Sequence, residues 1–244
     1  ARQQTLDALG LVQGGRFPEV EYQLQDQLCK ILQNIGTEGQ TNNEAIKACR
    51  AAVYNTDQLR NDIAAKGADA AFDFQKSVEP VYRNFVDLLL KADQSDEAAY
   101  KANLKEARAV LDSLQLAELD NFFREACLEI QSIELEDVID DKTAVIYPII
   151  LENRLEIILS LADKITHYSS PVSKTDLDET IYLWANGVRG PSGRSYSLSR
   201  SGDARLFAES LGEEERAANL ETSSKQLYHW LIEPLEEDLS TAGI

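Results

Sequence analysis

Any covalent chemistry in this chain has to start from three cysteines, Cys29, Cys49 and Cys127, and two histidines, His167 and His229. Cys127 is the first to weigh. It lies in the stretch QLAELDNFFREACLEIQ, close to Glu118, Asp120, Glu125 and Glu129, with Arg124 the nearby cation. Negative charge disfavours the thiolate, and only the thiolate is a good nucleophile. Leu116, Leu119, Phe123, Cys127 and Ile130 recur at steps of three and four, which places Cys127 on the apolar stripe of an amphipathic helix. Buried free cysteine behaves as a small hydrophobe, so the residue reads as core filler. The competing reading is a cysteine hydrolase that uses Cys127 with His167 as its base, and it requires the two side chains within hydrogen-bond reach.

The other candidates are weaker. His167 shares strand parity with Ile165, while Tyr168 points the other way, as expected of a half-buried or edge-strand histidine. His229 lies between Tyr228 and Trp230 on a terminal helix, near the rim of its buried face. There is no HExxH pattern and no acidic loop with the EF-hand spacing, so no metal site is expected. Gly187, Gly190 and Gly193 form GxxGxxG without the lysine of a phosphate loop. No residue is assigned a catalytic, cofactor-binding or metal-binding role, and neither a cofactor nor a small-molecule ligand is evident. The acidic runs LEDVIDD and GEEER read as solvated surface.

Composition narrows the class further. Forty-two acidic against 24 basic residues give a net charge of −18, which repels nucleic-acid phosphates and anionic lipid. The apolar run AVIYPIIL is far too short to span a bilayer, and the N-terminus lacks the basic head and apolar stretch of a signal peptide. An odd number of widely spaced cysteines, with no CxxC, makes reduced thiols and a cytoplasmic location the expectation.

These residues are positioned by two kinds of element. Residues 1–132 read as helical. In NNEAIKACRAAVYNTDQLRNDI, Ile46, Cys49, Val53, Leu59 and Ile63 share a face, Asn42 or Asn43 can cap, and Ala45, Cys49 and Ala52 permit close approach of a second helix. SVEPVYRNFVDLLLKAD starts with Ser77 as cap and Pro80 in the first turn, and buries Val81, Phe85, Leu88 and Leu89. The next helix carries Leu104, Ala107 and Leu111 on one face.

After residue 132 the period changes. AVIYPIIL reads as a strand covered on both faces, and Pro148 should mark a bulge or an unpaired edge. RLEIILSL alternates, with Leu155, Ile157, Leu159 and Leu161 on one side, joined through a tight turn at Glu152 and Asn153. KITHYSSPV makes a third strand. A helix follows, capped by Ser173 and Asp176, buried through Leu177, Ile181 and Trp184, and stopped by Gly187. The final helix buries Leu227, Leu231, Leu235 and Leu239 and bends at Pro234. Between these two, Arg189, Arg194, Arg200 and Arg205 gather against Asp203 in a segment that reads as a tether, with docking to an acidic partner as the alternative.

Taken in order, SVEPVYRNFVDLLL, LQLAELDNFFREACL, AVIYPIILENRLEIILSL and QLYHWLIEPLEEDL resemble the segment that joins tetratricopeptide repeats to the CHAT domain in bacterial CHAT proteins. The resemblance runs from about residue 42 to the end and is specific over 77–172. It implies an α+β chain: degenerate tetratricopeptide-like helices at 1–70, a helical linker at 71–132, and at 133–244 a small mixed α/β sheet subdomain resembling the first half of a caspase-like fold. Family members pair a partner-sensing array with a caspase-like protease that uses a His–Cys dyad. No position here matches either catalytic motif, so the resemblance implies a non-catalytic regulatory or scaffolding portion. Its partner would be another protein or the catalytic half of the same protein, with neither nucleic acid nor membrane involved. A free-standing interaction scaffold is the further alternative. On the first reading AVIYPIIL should join a larger sheet or a partner's strand, because left bare it is an aggregation hazard.

Overall fold

The structure, a computed structural model, describes residues 1–12, 17–36, 39–66, 78–92, 94–122, 139–189 and 213–244. The architecture is α+β, a helical array followed by a three-stranded antiparallel sheet with its own helices. The chain divides into two compact units, Ala1–Ser132 and Ile133–Ile244.

In the first unit the helices are α1 (Arg2–Val12), α2 (Pro18–Ile35), α3 (Gly39–Lys66), α4 (Glu79–Leu90) and α5 (Glu97–Phe122). Each packs chiefly on its neighbour in sequence, the pattern of a quasi-one-dimensional array. Small side chains explain the close pairing of α2 with α3. Ala45, Ala48, Cys49 and Ala52 line one face of α3, all nearly devoid of solvent contact, opposite Cys29 and Leu32 of α2. The α3 helix begins at Gly39, ahead of Asn42 and Asn43, so these lie in its first turns and do not cap it. Ile46 is only half-buried, and the side chain of Ile63 lies outside the described residues. Val78 occupies the N-cap of α4, Pro80 lies in its first turn, and Val81, Phe85, Leu88 and Leu89 are buried as their spacing requires. Asp96 caps α5 by accepting from the backbone N–H groups of Ala98 and Ala99 at 3.1 and 3.0 Å. Leu104, Ala107 and Leu111 form its buried stripe. Ser77, Phe123, Cys127 and Ile130 lie outside the described residues.

In the second unit, β1 (Val145–Ile150), β2 (Leu155–Ser160) and β3 (Ile165–Ser170) form a meander with β2 in the centre. Leu155, Ile157 and Leu159 face a core completed by Val172, Leu177 and Leu235. The strand buried on both faces is β2, not β1 as the apolar run predicts. Every residue of β2 is buried, whereas β1 is mostly half-buried and its Pro148 is exposed. Position contributes: among the described residues β2 is flanked by strands on both sides, whereas β1 has a neighbour on one side only. The Leu151 N–H donates to the Arg154 carbonyl at 3.0 Å across the Glu152–Asn153 turn. Counting inward from that pair, Pro148 falls opposite Ile157 at a non-hydrogen-bonded site, where its missing donor interrupts nothing in the ladder.

The sheet is backed by α6 (Lys174–Arg189), α7 (Glu213–Leu231), a 3₁₀ turn (Glu233–Leu235) and α8 (Glu236–Thr241). Ser173 and Asp176 cap α6 as expected. The Asp176 N–H donates to the Ser173 hydroxyl at 3.2 Å, and that hydroxyl donates back to the carboxylate at 2.7 Å. Two expectations for this helix are corrected. Trp184 is 40% exposed, because the stripe begun by Leu177 and Ile181 continues beyond the core they join. Gly187 does not stop α6, which continues to Arg189. It is instead a contact point with α7, where an added Cβ would lie 2.7 Å from Leu220 Cβ and 3.3 Å from its Cα.

Those two atoms cannot swing away, so the helices would have to part. Gly187→Val is therefore expected to cost roughly 1–3 kcal/mol despite the usual penalty for glycine in a helix. A urea melt followed by tryptophan fluorescence reads this directly, since Trp184 and Trp230, the two tryptophans of the chain, both lie in this unit.

The last helix breaks at Pro234 into the 3₁₀ turn, and the break drives Leu235 into the core with no solvent exposure. Leu227, Leu231 and Leu239 pack around it. No described helix is long and apolar enough to cross a membrane.

Candidate functional site

The described groups with most chemical potential meet on the sheet face opposite the helices. The strand registers place Ile149, Glu156 and Ser169 in one row and Tyr147, Ile158 and His167 in the next. Glu156 and His167 are thus diagonal neighbours on adjacent strands, within reach of long side chains. The Nε2 hydrogen of His167 is donated to Glu156 Oε2 at 3.0 Å. Arg154, two residues before Glu156 on the same strand face, donates through Nε to Oε1, and the Ser169 hydroxyl joins them. Glu156 retains 4% of its side-chain exposure and His167 8%.

Burial pushes the Glu156 carboxyl up, but the bonds from His167, Arg154 and Ser169 outweigh it and hold the group below the ordinary carboxylate range. The product is a fixed, fully engaged carboxylate that orients one imidazole. Such a pair can hold a histidine in one tautomer beside a nucleophile, and it can equally fasten two strands. Glu156 and Arg154 escaped the sequence reading. The available signal was a lone acid inside an apolar alternation, with an arginine two residues before it.

The second polar cluster joins α8 to the sheet. Asp238 accepts from Lys164 Nζ at 2.6 Å, from the Tyr168 hydroxyl at 2.7 Å and from the Thr166 hydroxyl at 3.0 Å. The Lys164 and Tyr168 bonds hold its carboxyl below the ordinary range against the opposing effect of desolvation. Tyr168 moves the other way, raised by burial and by Asp238. The folded pKa of Asp238 lies below its unfolded value near 3.9. Its contribution is therefore complete above that value and disappears as pH falls through the folded pKa. Asp238→Asn is expected to cost about 1–2 kcal/mol at neutral pH, discounted because Lys164 is half-exposed. Urea melts of the variant should also show a shallower loss of stability below pH 4 than the parent shows. Identical acid profiles would remove the carboxylate from this role.

The remaining candidates separate. His229 is on an exposed face of α7, its side chain 70% exposed and bonded to Glu233 one turn away, and so lies further out than the rim expected of it. Cys127 lies outside the described residues, as do Gly190, Gly193, Arg194, Arg200, Asp203 and Arg205. Cys29 and Cys49 are joined as a disulfide inside the helical unit, which corrects the expectation of reduced thiols for these two; a separation of 20 residues carries no signal of pairing. An open groove of about 400 Å³ on the second unit passes Asp176, Glu179, Leu183, Gln226 and Trp230. Among the described residues, no group of three or more His, Cys, Asp or Glu side chains is placed to hold a metal ion. Comparison of the chain with protein-family models, with curated proteins and with solved structures found no match.

Proposed function

We propose that this chain is the non-catalytic, regulatory and scaffolding portion of a cytoplasmic CHAT-family protein, coupling a partner-binding helical array to a caspase-like protease half. The observation that carries this reading is the order and character of the two units. A nearest-neighbour array of helices comes first and a three-stranded sheet backed by helices follows. Within the second unit, the network around Glu156 behaves as a strand fastener, with both carboxylate oxygens already engaged.

A second reading, a cysteine hydrolase built on Cys127 and His167, draws its support from the same network, because Glu156 orients the imidazole as the third member of a triad would. One pair of measurements separates the two. The purified chain is incubated with a pool of fluorogenic peptides, and Cys127 is alkylated with iodoacetamide before and after denaturation. The scaffolding reading expects no hydrolysis and a thiol that reacts fully only once unfolded. Turnover that disappears in Cys127→Ala, with alkylation of the native protein at that residue, would overturn it. The CHAT assignment has its own test in the source transcript. A reading frame continuing past Ile244 into strands that end in histidine and cysteine is expected, and an immediate stop codon sinks it.

A further inference from the structure

The disulfide between Cys29 of α2 and Cys49 of α3 has surroundings that a purely structural crosslink does not need. Its Cα atoms are 5.1 Å apart, and the two residues are 0% and 2% exposed. An apolar cage would suit an inert bridge, because an apolar setting disfavours the charged thiolate. Two carboxamides converge on the sulfurs instead. Gln33, one turn along α2, brings Nε2 to 3.3 Å from Cys29 Sγ and 3.7 Å from Cys49 Sγ. Asn84, from α4, brings Nδ2 to 3.5 Å and 3.9 Å from the same two atoms. Each amide nitrogen carries two donors and no titrating proton. In the dithiol form these donors face whichever sulfur ionises, and hydrogen bonds to a charged form favour that form. The thiolate is the species that oxidants attack.

We propose that Cys29 and Cys49 form a peroxide-responsive dithiol–disulfide switch that locks α2 to α3, with Gln33 and Asn84 as the residues that set its reactivity. A thiolate sulfur attacks one oxygen of hydrogen peroxide; the S–O bond forms, the O–O bond breaks, and the departing hydroxide takes a proton to become water. The second sulfur then displaces the sulfenic oxygen; the S–S bond forms, the S–O bond breaks, and a second water leaves. Two thiols and one peroxide become one disulfide and two waters. A small dithiol reverses the step by thiol exchange and is itself oxidised. Burial favours a small, uncharged oxidant such as hydrogen peroxide over a protein partner. Asn84 carries the state of the pair to α4, so the switch stiffens three consecutive helices of the array.

The test uses the whole chain, reduced and then exposed to equimolar hydrogen peroxide, quenched with N-ethylmaleimide in denaturant and digested with trypsin. The expected product joins fragment 17–30 to fragment 48–50, two hydrogens lighter than their sum, and is lost on treatment with dithiothreitol. Oxidation should raise the melting temperature by roughly 5–10 °C, and reduction should reverse the rise. In Asn84→Leu, oxidation at pH 7 should slow several-fold and its rate profile should move to higher pH, with far-ultraviolet dichroism unchanged. Gln33→Leu, at a half-buried position, gives the same readout if Asn84→Leu does not fold. Maleimide on both cysteines after peroxide would overturn the switch. So would crosslinking that leaves the melting temperature unmoved, or a pH profile that neither amide substitution shifts.

Discussion

Glu156→Ala is expected to destabilise the sheet unit by about 3–5 kcal/mol, a large share of the total for a domain of this size. The substitution removes the carboxylate shared by His167 and Arg154, an acceptor that is itself 4% exposed and serves donors on side chains that are 8% and 25% exposed. The loss comes chiefly from a charge and donors deprived of this acceptor in a medium of low polarisability, and only secondarily from the missing attraction. That origin is itself testable. Glu156→Leu combined with Arg154→Leu and His167→Leu should recover much of the loss, because an apolar set of similar volume carries no stranded group. Urea denaturation followed by tryptophan fluorescence gives both numbers. A triple variant no more stable than the single one would show that the network holds the strands by more than mutual neutralisation.

Phe85→Ala should be the comparable lesion in the helical unit, at roughly 3–5 kcal/mol. Phe85 is 1% exposed on α4, and its ring lies 5.9 Å from the guanidinium carbon of Arg50 on α3. Arg50 in turn donates to both carboxylate oxygens of Glu106 on α5, at 2.5 and 2.8 Å. Truncation therefore opens a ring-sized cavity and removes the surface over which that cation sits. Far-ultraviolet dichroism through a urea titration follows the loss. Phe85→Leu should recover most of the stability by refilling the volume, and Arg50→Ala should cost well under half as much as Phe85→Ala, because that side chain is half-exposed.

Much of the fold was legible because each element states its burial in its own spacing. Val81, Phe85, Leu88 and Leu89 repeat at helical intervals and are all buried. Leu155, Ile157 and Leu159 alternate and all enter the core. The reciprocal cap at Ser173 and Asp176 needs only three residues of context. What could not be read depends on partners distant in sequence. The identity of the central strand is an example. Glu156 looks like a solvent-facing residue, and it is buried because Arg154 and the third strand meet the needs of its carboxylate. Gly187 is another: a glycine near a helix end looks the same whether it stops the helix or admits a neighbour, and Leu220 decides which. The pairing of Cys29 with Cys49 likewise follows from how α2 lies on α3. Of the candidate site, the parity of His167 was legible and its carboxylate partner was not.

Pro148 gives β1 a protection that its composition would otherwise deny it. The backbone nitrogen of a non-hydrogen-bonded residue points away from the paired strand, so on β1 the proline nitrogen points away from β2, toward the side where no further strand lies among the described residues. A foreign segment docking there would meet a gap in the donor row and a rigid ring halfway along VIYPII. Whenever that side of β1 is bared, the apolar hexapeptide thus carries its own gatekeeper against fibril growth, and replacing that one residue with valine would remove the break in its donor row.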